Sequence, residues 1–154
     1  YGRGLFGRDS QEVYLTYLMG RSFVGMRTDD VFRWSDYLSR RVGWDSGPDQ
    51  NEGDNSRSGL ETQPTRLQLI ATGEAAIPAL HAAALQPSRF ESVHLSGMIR
   101  SWAEIVAAPE SRNQLVNTVH GALRHYDLPN LVELAGKDLV QIEAPVDATG
   151  RQED

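Results

Sequence analysis

Six acid–base side chains invite a chemical reading: Glu74, Asp147 and the histidines at 81, 94, 120 and 125. A buried or positioned carboxylate can act as a nucleophile or orient a base, and an imidazole can move a proton near neutral pH. Position decides whether any of them does. Glu74 begins a helical stretch, where an exposed acid offsets the positive helix end. His81 falls inside an alanine-rich helix and reads as a packing or surface residue. His94 lies within a strand, mid-sheet. His120 and His125 flank the turn Gly121-Ala122-Leu123-Arg124, and His125 is the one placed to reach a cleft from a loop. Asp147 sits in Val146-Asp147-Ala148-Thr149-Gly150, where an Asp serves equally well as a turn former.

Metal and thiol chemistry find no support. No two histidines share an i, i+4 helical face with a carboxylate, and there are no cysteines. The residues ask for no cofactor. Asp45 to Ser56 is rich in acids, but Asp54 stands at the sixth position counted from Asp49, where a calcium loop needs Gly, so a plain acidic loop is the expectation. The net charge of −6 argues against a nucleic-acid partner. The longest apolar run, Ala79 to Leu85, is far short of the roughly 20 residues of a membrane span. The first residues show neither Met nor an apolar signal core, which leaves no targeting segment to read and is compatible with a processed or truncated start.

The 154 residues suffice for one domain, taken as 1–154, with a mobile acidic loop at 44–64 that has too few apolar side chains to order itself. Asp9 to Gly20 suits a helix with Val13, Tyr14, Tyr17 and Leu18 on one apolar face. Phe23 to Met26 reads as a short link. A second helix is expected from an N-cap at Thr28, burying Val31, Trp34, Leu38 and Val42 and ending at Arg40, Arg41 and Gly43. Arg66 to Thr72 fits a buried parallel strand, Ala76 to Leu85 a small-residue helix with Pro78 in its first turn, and Phe90 to Leu95 the next strand. Helices are expected near Met98 to Ala107 and Ser111 to His120. Asp127 then opens a further helix that Gly136 ends. Asp138 to Glu143 is a third strand, followed by a frayed polar end. This alternation predicts an α/β fold: a parallel sheet of about three strands flanked by helices. So small a sheet leaves open edges and a poorly covered face, which suggests a second polypeptide or a missing part of the sheet beside it.

The strand–Gly–helix stretch Leu67 to Pro87, centred on Ala71-Thr72-Gly73-Glu74-Ala75, resembles the nucleophile strand, elbow and helix of α/β hydrolases, most of all the acetyl xylan esterase and dienelactone-hydrolase-like branch. Ser92-Val93-His94-Leu95-Ser96-Gly97 resembles that branch's next strand. His125 to Leu131 and the strand leading to Ala144-Pro145-Val146-Asp147 resemble later parts. Tyr17 to Arg21 and Asp30 to Arg33 resemble the helices before the elbow. The likeness spans the C-terminal half of that fold, without its early strands and without the last strand–helix pair that brings the catalytic histidine.

The resemblance implies a partial α/β-hydrolase-type sheet and an esterase acting on acetylated carbohydrate, exported or periplasmic. It places the nucleophile at Gly73, or at Ala75 in a register shifted by one step, and neither residue can attack an ester. It places the triad acid at Asp147. No histidine follows Asp147, as the family order requires, so His125 is the remaining candidate base. Two expectations stand side by side. One is a degenerate domain retained for binding or assembly. The other is part of a carboxylic ester hydrolase. Trp44, beside the acidic loop, is a candidate for sugar stacking, though nothing singles it out.

Overall fold

The computed structural model of the chain describes residues 10–44 and 66–152; the acidic loop, apart from Trp44, lies outside the described residues. In order come α1 (Ser10–Leu18), α2 (Phe23–Trp44), β1 (Leu67–Thr72), α3 (Ala76–Leu85), β2 (Phe90–Ser96), α4 (Trp102–Ala107), α5 (Leu128–Ala135) and β3 (Val140–Glu143). The strands form one sheet in the order β1-β2-β3, and both pairings are parallel. This is the expected α/β arrangement.

The sheet is covered on one face. Ala71, Val93, Leu95 and Val140 join a core with Ile77 and Leu80 of α3 and Leu128 and Leu131 of α5. On the opposite face Ile70 is 73% exposed, and its partners in register are His94 and Gln141. β1 is therefore not buried on both sides, as its short apolar run suggested. Alternation of side chains along a strand sends every second residue to a face that no described helix covers.

α2 departs from expectation in both start and face. It begins at Phe23, where Ser22 Oγ accepts from the Gly25 N–H at 2.9 Å, so the supposed link is the first turn of the helix. Thr28 lies inside the helix, and its hydroxyl is positioned toward Val24 O at 2.9 Å and Pro78 O at 3.3 Å. The buried stripe is Val24, Thr28 and Ser35, and Val31 packs against the core as expected, while Trp34 and Leu38 are exposed; the side chain of Val42 lies outside what the structure describes. The reason lies in α3. Its alanines let α2 approach closely, and small side chains fit that contact better than large ones. Arg89 fixes the lower end, bonding to Ser35 and Asp36 and lying over the Phe32 ring.

Three other expectations change. In α1 only Val13 and Thr16 are buried, and Tyr14, Tyr17 and Leu18 are exposed. Tyr17 still reaches across the chain, its hydroxyl accepting from His120 N–H at 3.1 Å. Ser111 to His120 forms one short 3-10 turn, Leu115–Asn117, in place of an α-helix. The stretch after β3 is ordered as far as Gln152: Val146 bridges Ile99 in parallel and Gln152 in antiparallel fashion. Among the described residues no helix is long and apolar enough to cross a membrane.

Candidate functional site

All three strands end on one line. Thr72, Ser96 and Glu143 are Cα partners across the sheet. Each is followed at once by a residue of positive φ: Gly73 at +57°, Gly97 at +66° and Ala144 at +45°. Left-handed backbone costs a residue with a Cβ about 1–2 kcal/mol, so Ala144 carries strain that the two glycines avoid. The turns are also close to one another. A Cβ built on Gly97 would lie 3.7 Å from the Gly73 nitrogen, and the Gly97 N–H donates to Glu143 O at 3.1 Å. Parallel α/β sheets place their ligands at this carboxyl edge, and strained backbone gathers where a site is held in shape.

Gly73 leaves β1 into a 3-10 turn, Gly73–Ala75, that runs directly into α3. No atom lies within 4 Å of a Cβ built there. Glu74 beside it is exposed. Position 73 therefore has the open space for a side chain and none to offer. Asp147 follows β3 by four residues. Its Oδ1 accepts from Thr149 N–H and Thr149 Oγ1, each at 2.8 Å, and from Arg151 N–H at 2.9 Å. The bonds from Arg151 and Thr149 hold this carboxyl below its ordinary range. His125 is exposed and follows the turn Ala122–Arg124. Among the described residues no hydrogen bond joins it to Asp147. Gly73 and the chain leading to Asp147 thus share one edge of the sheet, while His125 is set by a separate turn ahead of α5. Among the described residues no group of three or more His, Asp or Glu side chains is placed to hold a metal.

A polar node behind this edge was not foreseen. His81 is buried in α3; its Nδ1–H donates to Ile77 O at 2.8 Å, which leaves Nε2 to accept from the Tyr126 hydroxyl at 3.2 Å. The rings of His81, Trp102 and Tyr126 pack within 6.0 Å of one another, centroid to centroid. Burial pushes the His81 pKa down, against a smaller upward pull from Ile77 O. Its helical spacing marked it as a packing residue, but no local signal in the sequence names Tyr126 as its partner.

The lowered pKa gives a pH signature. Unfolded, His81 titrates near 6.5. Folded, it holds its proton less well, so the unfolded state binds more protons as the pH falls through this range. Stability is constant above the unfolded value and declines from there down through the folded one. His81→Gln should abolish that decline. Chemical denaturation of both proteins between about pH 5 and 8 checks it; parallel profiles would remove His81 as the source.

Comparison with protein-family models, curated proteins and solved structures gives no significant match.

Proposed function

We propose that the chain is a degenerate α/β-hydrolase-fold domain, without ester-cleaving activity of its own, that serves in binding or assembly. The observation carrying this reading is Gly73: a sharp strand-to-helix turn at the carboxyl edge of a parallel sheet, with positive φ, open space and no side chain. A hydrolase elbow needs a nucleophile there and an imidazole hydrogen-bonded to it. Here Asp147 spends its Oδ1 on its own turn, and His125 bonds to neither. The strain retained at Ala144 and the open sheet face with Ile70 fit a surface kept for contact with a second polypeptide, with the rest of a larger sheet, or with a carbohydrate ester held but not cleaved.

The test is direct. The parent chain should neither hydrolyse p-nitrophenyl acetate above background nor be labelled by a fluorophosphonate. Gly73→Ser should fold, since the space is free, at a cost of about 1 kcal/mol for the positive φ. It should stay unlabelled, because no base is in place to activate the new hydroxyl. Labelling of a serine in the parent, or of the new serine in the variant, would overturn the proposal and favour part of a carboxylic ester hydrolase.

A further inference from the structure

We infer that the cleft between α4 and the segment 118–124 is a binding site for a small carboxylate with an apolar tail. The cleft has a volume of about 380 Å³, within the range that small ligands occupy. Its walls are mostly apolar and include Ile105, Val106 and Leu123. Its polar side chains are nearly all committed. The Trp102 indole N–H donates to Asn117 O at 2.8 Å, and the Thr118 hydroxyl donates to Leu115 O at 2.8 Å. The remaining polar side chain of the lining is Arg124, an exposed guanidinium with no ion-pair partner among the described residues.

That inventory selects the ligand. An apolar body gains from leaving water for these walls. One anionic oxygen pair matches the free guanidinium, whose planar fork binds carboxylates in a bidentate manner. A cation would meet Arg124 with like charge, and a many-hydroxyl ligand would find few free partners. The site is formed by α4 and the turn before α5, so the inference does not depend on the reading of the Gly73 edge.

Hexanoate is a suitable probe, with hexan-1-ol and hexylammonium as controls. In titrations followed by NMR, hexanoate should shift the amides of residues 118–124 and the Trp102 indole N–H in a saturable way, with Kd on the order of 1 mM. It should bind at least about fivefold tighter than hexan-1-ol, because one charge-assisted pair is added. Arg124→Gln, at an exposed position, should bring hexanoate down to the level of hexan-1-ol. Val106→Glu should weaken hexanoate binding, since it replaces part of the apolar wall with a carboxylate of the ligand's own sign at a position exposed enough to accept it. Absence of saturable shifts would overturn the inference, as would hexanoate binding that Arg124→Gln leaves unchanged or tighter binding of hexylammonium.

Discussion

Leu80→Ala should destabilise the protein by about 3–4 kcal/mol, in the upper part of the range for a leucine emptied from a core. Leu80 is fully buried at the centre of α3, the helix that packs against the sheet, α2 and α5. The size of the effect follows from its neighbours. Ala76, Ala79, Ala82 and Ala83 are all buried on the same helix and have no spare atoms to fill the space. The cavity therefore persists instead of collapsing. Trp34→Ala makes the contrast. Trp34 is 64% exposed and touches the Tyr37 ring edge-on, so its removal should cost less than about 1 kcal/mol despite the larger side chain. Urea denaturation of both variants checks the pair; equal losses would show that α2 packs through Trp34 after all.

That contrast also marks where the sequence stopped being informative. The strands, the order of elements and α3 were legible because local signals agreed: an apolar run, a glycine at the turn, a proline in the first helical turn and a break at Gln86-Pro87. The buried side of α2 was not. Hydrophobicity pointed to Trp34 and Leu38, while the helix buries Thr28 and Ser35 because it faces a wall of alanines fifty residues away. Hydrophobic periodicity cannot show which face meets small residues. The helix expected over Ser111 to His120 failed for a related reason. Trp102 Nε1 takes Asn117 O as acceptor and the Thr118 hydroxyl takes Leu115 O, and these side-chain bonds hold the chain in a single 3-10 turn. At the candidate site the glycine turn was readable from the residues. The alignment of three left-handed turns at Gly73, Gly97 and Ala144 was not, because it depends on strand register.

Asp127 was visible in the sequence as the cap of one helix, and in the structure it also braces the Ser101 cap of a second. It opens α5 in a capping box, its own N–H donating to Asn130 Oδ1 at 2.9 Å and its Oδ1 accepting from Leu128 N–H at 2.7 Å. The same carboxylate reaches back to α4, accepting from Trp102 N–H at 2.7 Å, from Ala103 N–H at 3.3 Å and from the Ser101 hydroxyl. Partial burial pushes its pKa up, but the bonds from Ser101, Trp102, Leu128 and Ala103 outweigh that and hold it below the ordinary carboxylate range. One cap is worth about 1 kcal/mol, so Asp127→Ala, which removes the side-chain cap of α5 and the charge-assisted bonds that support the Ser101 cap of α4, should cost about 2–3 kcal/mol. Asp127→Asn keeps one acceptor oxygen and should lose about half as much. The folded pKa is lowered, so this contribution is present above the unfolded value of 3.8 and is lost as the pH falls through the folded one. Hydrogen exchange separates this from a general loss of stability. A six-residue helix such as α4 has little intrinsic stability and depends on the bonds at its N-terminus, so in Asp127→Ala its amides should lose protection before those of α3. Because Trp102, Ile105 and Val106 of α4 form one wall of the cleft beside Arg124, loosening α4 should also weaken hexanoate binding while the sheet remains folded. Uniform loss of protection across α3 and α4 would show that Asp127 supports the whole fold and not the junction of these two helices.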